Sequence, residues 1–312
     1  MIITLTPNPS VDRTLHVPQL RFNEVLRAHD VRVDWGGKGF NVSRALRILN
    51  EETLALAWVG GGTGRMMQHG LNQLGIKTDF VWVEEETRIN TVAQEDSGEW
   101  YIRLNEPGPH IPEDAIQSLL AKAEAYASKK DIWVAAGSLP QDVPADFYTQ
   151  LIHLLKNKGV RVFFDANGEA LRAGLSDPPF LVNPDISETE DFVGFSIHNY
   201  DDAKRAVLPF LRLGVEYVAL SIDGLGLLLA SQQEMMLATP PKVSIRNVTG
   251  AGDALMAGMA YGFARGMDLR EIARLGAAFS AVAVTTVSLA SVKNSDVEAM
   301  LPRVEVRTVN VM

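Results

Sequence analysis

The pattern of hydrophobic positions changes period repeatedly along this chain, and each change predicts an element of secondary structure. From residue 113 onward, short apolar runs typical of buried strands alternate with segments whose apolar residues recur at helical spacing, as at Ile116, Leu119, Leu120 and Ala123. Such alternation predicts a parallel sheet with ligands at the carboxyl ends of its strands. The predicted strands are 2–6, 54–60, 132–136, 160–165, 180–185, 217–222 and 227–230, and the predicted helices are 42–49, 65–74, 116–123, 145–157, 201–213, 255–264, 269–288 and 294–301.

Two segments with strand-like alternation interrupt this order. Residues 25–35 place four apolar side chains on one face, and the pattern returns between residues 88 and 104. We expect a small antiparallel sheet that acts as a lid, with strands from about 14–35 and 88–104, inserted into a single domain that spans residues 1–312. A sheet with one apolar face is stable in water only when that face is buried. A second copy of the same sheet can bury it, so we expect a homodimer formed through the lids.

Composition and charge narrow the class of protein. The chain has 312 residues, of which 46% are hydrophobic and 21% charged, as expected for a soluble globular domain. Its net charge of −9 argues against a nucleic-acid partner, which needs a basic surface. The chain has no cysteine, which excludes disulfides and thiolate chemistry. A start without a signal-peptide pattern, and no apolar run of eighteen residues, predict a cytoplasmic protein with no membrane contact.

The strongest candidate for chemistry is the segment from Asn247 to Asp253, where a polar turn opens into an apolar helix that ends near Ala264. The first amides of a helix have no partner inside it, and together with the helix dipole they form an anion site. Gly250 and Gly252 let the backbone approach a ligand closely. Asp253 is interpreted in two ways: as a first-turn acid that complements the dipole, or as a base that faces a substrate hydroxyl beside a phosphate.

A second glycine-rich segment, Gly36-Gly37-Lys38-Gly39-Phe40-Asn41, precedes a predicted helix. Lys38 and Asn41 supply a cation and an amide for ligand oxygens, although the segment also fits a tight strand-to-helix turn. Its spacing is not that of a Walker A loop, and the chain has no Gly-x-Gly-x-x-Gly motif. Dinucleotide binding is therefore not indicated.

Other polar residues fall where predicted strands end. Asp12 follows the first strand and is either a turn residue or an acceptor for a sugar hydroxyl. Arg88 has a strand-like setting and is either solvated or a bidentate phosphate ligand. Four further residues fall on the predicted ligand edge, namely Ser138, Asp165, Asn183 and Asp185.

Over essentially its whole length the chain resembles the ribokinase-like PfkB family of carbohydrate kinases. The resemblance rests on the glycine-rich segment at 36–41 and on Thr249-Gly250-Ala251-Gly252-Asp253, with Asn8-Pro9-Ser10-x-Asp12 near the start. Three further segments are similar to the hexose-phosphate subgroup, namely residues 87–90, 105–109 and 137–140. The family implies an α/β fold, a ribokinase-like three-layer α/β/α sandwich with a mainly parallel central sheet and a small β-sheet lid.

The same resemblance implies roles for individual residues. Asp253 is the expected base, and the amides of Gly250, Ala251 and Gly252 are expected to hold the transferring phosphoryl group. The expected ligands of the sugar are Asp12, Gly37 and Asn41, and those of its existing phosphate are Lys38, Arg88 and Ser138. The expected ligands of the nucleotide are Asn183, Ser221, Gly224 and Gly226, and those of Mg²⁺ are Asp185 and Glu188.

The implied activity is ATP-dependent phosphorylation of a sugar phosphate, in the first place fructose 1-phosphate to fructose 1,6-bisphosphate. Tagatose 6-phosphate and fructose 6-phosphate are the alternative substrates. Two departures from the family pattern instead favour a sugar-phosphate sensor with weakened catalysis: Asn183-Pro184-Asp185 replaces Lys-Pro-Asn, and Asp223 replaces the first glycine of a Ser-x-Gly-x-x-Gly turn. The intact Asp253 favours the enzyme, and Asp185 with Glu188 holding Mg²⁺ more tightly would offset the missing lysine.

Overall fold

Strands and helices alternate through most of the chain, as the hydrophobic pattern predicts. The computed structural model describes residues 1–222 and 225–310. The strands are β1 Ile2–Thr6, β2 Ser10–Val17, β3 Asp30–Gly36, β4 Thr53–Gly60, β5 Lys77–Thr78, β6 Val81–Val83, β7 Ile89–Glu95, β8 Tyr101–Leu104, β9 Ile132–Ala136, β10 Arg161–Asp165, β11 Leu181–Val182, β12 Tyr217–Ile222, β13 Gly226–Ala230, β14 Met235–Thr239 and β15 Glu305–Val309. The α-helices are α1 Lys38–Ile48, α2 Gly61–Gln73, α3 Glu113–Tyr126, α4 Phe147–Asn157, α5 Gly168–Gly174, α6 Ile186–Val193, α7 Tyr200–Arg212, α8 Ala251–Ala264, α9 Leu269–Val284 and α10 Asn294–Met300.

The main sheet contains eleven of the described strands, in the order β15-β14-β13-β12-β11-β10-β9-β1-β4-β5, with β6 also paired to β4. From β12 to β5 neighbouring strands run parallel, whereas β12 to β15 form antiparallel pairs at one edge. Strands β1, β4 and β9 are buried along their whole length because helices cover both faces. The parallel order brings the carboxyl ends of β1, β9, β10 and β11 to one edge of the sheet.

Two large hydrophobic cores, and a smaller third one around Phe40, Val59 and Leu71, fill the space between the sheet and its helices. One core includes Trp58, Phe147 and Phe164 and packs α3, α4, α5 and α7 on one face. The other includes Met256 and Phe279 and packs α1, α8, α9 and α10 on the opposite face. The three-layer α/β/α sandwich predicted from the sequence is therefore confirmed. Among the described residues, no helix has the length and apolar character needed to cross a membrane.

The smaller sheet is the predicted lid, with the order β3-β2-β7-β8. Strand β2 pairs antiparallel with β3 but parallel with β7, so the expectation of a purely antiparallel lid is wrong. Trp35 packs against α2 so closely that a Cβ on Gly70 would overlap its indole ring. The outer part of the lid exposes several large apolar side chains, namely Phe22, Val25, Val31, Val33, Trp100, Tyr101 and Leu104.

The hydrophobic pattern gave wrong bounds for some short elements and missed others. Residues 8–12 are predicted as a turn beyond β1, but β2 already begins at Ser10, so Asp12 lies in a lid strand. Residues 25–29 alternate without forming a strand, and β3 begins at Asp30. The pattern also missed α5, α6, β14 and β15. These elements have five to eight residues, which is too short for a period to show clearly.

Candidate active site

The first turn of α8 is partly exposed, and of its first amides the N–H of Ala251 makes only a long hydrogen bond, 3.3 Å, to the Val248 carbonyl. Gly250 precedes this turn with φ +84°, a left-handed conformation that glycine adopts without strain, and no side chain of the described residues caps the helix. Gly250, Ala251 and Gly252 are partly exposed. The site lies at the carboxyl edge of the main sheet, because Nδ2 of Asn183, just after β11, is 3.8 Å from the point where a Cβ of Gly252 would stand. Its position and exposure suit an anion.

Asp253 lies in this first turn and is 6% exposed. Its Oδ2 accepts a 2.8 Å hydrogen bond from Nδ2 of Asn41, which comes from α1, 212 residues away. Burial and the nearby Asp165 carboxylate raise the pKa of Asp253 to about 7, although Asn41 and the cations Lys38 and Arg44 oppose the shift. A carboxyl group with a pKa near neutrality can take up or give up a proton under physiological conditions.

Lys38 begins α1 directly after Gly37, whose φ of +127° favours glycine. Its Nζ donates a 2.5 Å hydrogen bond to Oδ1 of Asp165, the last residue of β10. Burial lowers the pKa of Lys38, but the Asp165 carboxylate more than reverses that effect, so the lysine stays charged. Asp165 is 4% exposed. The sequence placed it at the end of a predicted strand but indicated no role for it.

Asp12 sits inside the lid on β2. Its Oδ1 accepts hydrogen bonds from the Ser10 hydroxyl at 2.6 Å and from Nδ2 of Asn90 at 3.0 Å. Burial raises the pKa of Asp12, and these two donors oppose the shift. Gly36 leaves room for the other oxygen, since a Cβ there would stand 2.2 Å from Oδ2 of Asp12. Asn90 and Ser10 thus orient Asp12, a contact that the sequence alone did not reveal.

Arg88 holds the loops around this part of the lid. Its Nη2 and Nη1 donate to the carbonyl oxygens of Asn8 and Glu106 at 2.8 and 3.0 Å, and Nε lies 3.4 Å from the Pro9 carbonyl. Ser138 follows β9 in another loop at the same sheet edge and is half-buried. Arg88 therefore connects the segment after β1 with the segment after β8.

The residues predicted to bind Mg²⁺ form the start of α6. Oδ1 of Asp185 accepts the N–H of Glu188 at 2.7 Å, and Oε2 of Glu188 accepts the N–H of Asp185 at 2.9 Å. This reciprocal pair is a capping box, so Asp185 has a structural role as the N-cap. Burial raises the pKa of Glu188 to about 7. Asn183 is 7% exposed, and its buried Oδ1 has no hydrogen-bond partner within residues 1–222 and 225–310.

The remaining predicted nucleotide ligands lie at the hairpin of β12 and β13. Ser221 is half-buried near the end of β12, and Gly226 begins β13. Gly224 and Asp223 lie outside the described residues. No hydrogen bond of the described part of the chain connects Ser221 or Gly226 to the first turn of α8.

A cavity of about 430 Å³ is walled by α9, α10 and the segment before Arg246. Its lining residues are Lys242, Val243, Ser244, Val282, Thr285, Thr286, Asp296, Ala299, Met300 and Arg303. The chain continues from this segment toward α8. The N–H groups of Arg246 and Asn247 donate hydrogen bonds to the Val284 carbonyl at 2.8 and 3.3 Å.

The structure thus brings together Lys38, Asn41 and Asp253, which come from segments that are far apart in the chain. Asp165, for which the sequence indicated no role, belongs to the same group. Arg44 lies on the side of α1 away from its apolar positions, yet it is only 8% exposed because lid strand β3 covers it. Among the described residues, no group of three or more histidine, aspartate or glutamate side chains forms a ready metal site.

An α/β sandwich with a lid and a helix-start anion site beside a carboxylate defines a sugar kinase of the ribokinase type. The chain belongs to the pfkB family of carbohydrate kinases, whose model matches residues 7–295. It is 32% identical over 307 residues to the 1-phosphofructokinase of Bacillus subtilis strain 168, covering 98% of this chain and 99% of that protein. It is 30% identical over 288 residues to the 1-phosphofructokinase of Vibrio cholerae serotype O1, covering 92% and 90%.

Solved structures agree with this membership. Phosphofructokinase-2 from Escherichia coli, in complex with potassium, is similar with a TM-score of 0.91 and 28% identity, covering 96% of this chain and 98% of that chain. The family resemblance and the kinase class inferred from the sequence are confirmed. As a carbohydrate kinase, the protein uses ATP as a substrate.

Proposed function

We propose that this protein transfers the γ-phosphoryl group of ATP to a sugar phosphate, with fructose 1-phosphate giving fructose 1,6-bisphosphate as the principal reaction. The observation that carries the proposal is the buried Asp253, held by Asn41 at the partly exposed first turn of α8. Two relatives named 1-phosphofructokinase, each similar over at least nine tenths of this chain, support the choice of substrate.

In the proposed reaction a sugar hydroxyl oxygen forms a bond to the γ-phosphorus, and the bond from that phosphorus to the ADP oxygen breaks. The hydroxyl proton goes to the Asp253 carboxylate, and ADP leaves with the bonding electron pair. The amides of Gly250, Ala251 and Gly252 stabilise the negative charge on the transferring group. A proton acceptor with a pKa of about 7 is ionised in a large share of molecules near neutral pH.

The substrate contacts follow from the same geometry. Asp12, oriented by Ser10 and Asn90, accepts sugar hydroxyls. Lys38 and Arg88 supply the positive charge for the phosphate that the sugar already carries. Gly37, Asn41 and Ser138 complete the proposed sugar-phosphate site.

The nucleotide extends from the α8 amides toward the cavity between α9 and α10, which accommodates the base. Asn183, with an unpaired buried oxygen and an amide group near Gly252, faces the phosphates. Gly226 and Ser221 contribute from the β12–β13 hairpin.

Mg²⁺ fits the acidic residues at this edge. Magnesium ions in kinase sites use one or two carboxylates together with substrate phosphates and water, so a three-residue protein cage is not required. Glu188 and Asp165 both lie close enough to Lys38 to affect its pKa, which places two acidic groups beside the phosphate path. We propose that Glu188 holds the ion, with Asp185 contributing through water. When bound, Mg²⁺ neutralises charge on the phosphate oxygens.

The sensor alternative loses one of its supporting observations. Asp185 was interpreted as an added anion that weakens nucleotide binding, but it caps α6 and forms half of the capping box with Glu188. An aspartate serves that purpose as well as an asparagine does. The other departure, Asp223, lies outside the described residues.

A coupled assay of ADP release tests the proposed activity. ATP and Mg²⁺ are supplied with fructose 1-phosphate, fructose 6-phosphate, tagatose 6-phosphate or free fructose, and the products are identified by phosphorus NMR. We expect the highest kcat/KM for fructose 1-phosphate, and Asp253→Asn to lower kcat by roughly a thousandfold or more. Full turnover by Asp253→Asn would rule out this residue as the base, and no turnover of any sugar phosphate by the wild-type protein would refute the kinase assignment.

We also propose that the lid forms a homodimer. Val31 and Val33 on β3 are 47% and 45% exposed, and Tyr101 and Leu104 on β8 are each 64% exposed. Apolar side chains at such density on one small sheet favour burial against a second copy. We expect sedimentation to show a dimer and Val33→Asp to produce a monomer; a wild-type monomer at micromolar concentration would refute the dimer.

A further inference from the structure

Asp34 is a lid residue whose two carboxylate oxygens bind different parts of the main domain. Oδ1 accepts a 2.6 Å hydrogen bond from Nη2 of Arg44 in α1, and Oδ2 accepts a 3.0 Å hydrogen bond from the hydroxyl of Ser288, in the segment after α9. The Arg44 side chain is 7% exposed. A short charge-assisted bond to a buried guanidinium holds both partners in one geometry.

The contact with Arg44 leads to the proposed base. Nη1 of Arg44 lies 3.3 Å from Oδ1 of Asn41, and Nδ2 of Asn41 donates to Asp253. An amide has one acceptor end and one donor end. Because Arg44 engages the oxygen of Asn41, the nitrogen is the end that faces Asp253. Asp34 is thus connected to Asp253 through two intervening side chains.

The contact with Ser288 leads to the phosphoryl site. The next residue, Leu289, is 6% exposed, and its Cδ1 would lie 3.1 Å from a Cβ on Gly250. Leu289 therefore packs against the residue that precedes α8. The Ser288 hydroxyl also accepts the N–H of Ala290 at 3.2 Å, which holds this short turn in shape. A shift of Ser288 would move the packing beneath the α8 amides.

The sugar side of the site is connected as well. In the register of β2 with β3, Asp34 lies directly opposite Asp12. A movement of the lid that brings Asp12 onto a sugar must therefore carry Asp34 along with it.

From these contacts we propose that Asp34 is a positioning residue that couples lid closure to the phosphoryl-transfer centre. Closure over the sugar docks Asp34 onto Arg44 and Ser288, which turns the Asn41 amide toward Asp253 and fixes the α8 amides. Transfer to the sugar is then favoured over transfer to water, because the centre is complete only when the lid is down. This inference rests on the kinase function proposed above.

The matched pair Asp34→Asn and Asp30→Asn tests the coupling. Asp30 lies on the same strand but forms an exposed ion pair with Arg32 at 3.2 Å. We expect Asp34→Asn to lower kcat with fructose 1-phosphate by about tenfold or more while its KM changes by less than about threefold, because the residue touches neither reactant. Asp30→Asn should behave like the wild type. An unchanged kcat in Asp34→Asn, or an equal fall in both variants, would overturn the proposal.

A pH profile separates positioning from a general loss of structure. The charged groups that face Asp253 are Asp165 on β10 and Lys38 and Arg44 on α1, and the Arg44 cation lowers the pKa of Asp253. Arg44→Gln should therefore move the acid limb of kcat/KM to higher pH, whereas Arg44→Lys should keep the limb in place. Both should lower kcat, since neither presents a guanidinium to Asn41. Acid limbs that coincide in the two variants would contradict the route through Arg44.

Ser288→Ala removes one hydroxyl and is a milder variant should Asp34→Asn fold poorly. We expect a fall in kcat of about threefold or more, and no fall would contradict the second route. Hydrogen exchange gives a readout that needs no turnover: fructose 1-phosphate should slow exchange at residues 250–252 in the wild type but not in Asp34→Asn. Equal protection in both proteins would refute the coupling, whereas absent turnover by the wild type would refute the proposed function.

Discussion

Lys38 and Asp165 form a 2.5 Å ion pair between the start of α1 and the end of β10, across 127 residues of sequence. Each partner has an opposite effect on Asp253, because the Asp165 carboxylate raises its pKa and the Lys38 cation lowers it. The pair therefore does more than hold α1 on the sheet. After burial, which has the largest effect, it helps to determine the pKa of the proposed base.

We predict that Asp165→Asn moves the acid limb of the kcat/KM profile to lower pH. Removing this carboxylate takes away a charge that disfavours ionisation of Asp253, so the pKa of Asp253 falls from its value of about 7. The measurement is kcat/KM for fructose 1-phosphate between pH 5 and pH 9 at saturating Mg²⁺. Asp177→Asn is the control, because Asp177 also pairs with a lysine, Lys156, but at the surface. A limb that stays in place, or moves equally in the control, would contradict the predicted charge effect.

We predict that Asp253→Asn stabilises the protein much more at pH 8 than at pH 5. The pKa of Asp253 is higher in the folded protein, about 7, than in an unfolded chain. Stability associated with the protonated form is therefore complete below the unfolded pKa, falls as the pH rises from there to about 7, and stays lost above it. A neutral asparagine avoids that loss, which is worth at most about 4 kcal/mol for a shift of about three pKa units. Thermal unfolding at the two pH values measures it.

Glu86→Gln is the control, because the pKa of Glu86 is lowered by folding whereas that of Asp253 is raised. The Glu86 carboxylate accepts the hydroxyl and N–H of Thr63 and the N–H of Gly62, which lower the pKa of Glu86 to about 2. Its contribution is complete above the unfolded pKa and is lost only in strong acid. The substitution should therefore destabilise the protein equally at pH 5 and pH 8. Equal stabilisation by Asp253→Asn at both pH values would show that charge burial is not its cause.

We predict that Asn183→Lys combined with Asp185→Asn lowers the KM for ATP. The lysine restores a cation beside the phosphates, which outweighs the contribution of Asp185 to Mg²⁺ through water, and asparagine keeps the N-cap of α6. Asp185→Asn alone should leave the thermal unfolding midpoint almost unchanged. The effect of the double variant should weaken as salt is added, because it is electrostatic. An unchanged KM for ATP would contradict this account of the nucleotide site.

We predict that Arg88→Lys raises the KM for the sugar phosphate by about tenfold with a smaller effect on kcat. A guanidinium can hold the Asn8 and Glu106 carbonyls and still present donors to a phosphate, whereas an ammonium group cannot span these positions. Arg32→Lys, a surface residue of the same lid, should leave both constants unchanged. Equal KM values for wild type and Arg88→Lys would show that Arg88 has only the structural role.

The three-layer architecture was implied by the family resemblance. Hydrophobic and polar patterns in the sequence predicted the parallel strands of the main sheet and the start of α8 with its acid. Those features depend on local patterns: buried strands are runs of apolar residues, and a helix start with glycines and Asp253 is recognisable in one short segment. The family resemblance added the expected roles of Lys38 and Asn41.

Which of these residues meet could not be predicted from the sequence, because the contacts join segments that are distant in the chain. Asp12 belongs to the lid because β2 pairs with β3, a pairing that no local period shows. Arg44 is buried because that lid strand lies over α1 and places Asp34 against it. The same packing brings Asn41 to Asp253. The orientation of the proposed base therefore depends on how the lid and the helices pack against the sheet.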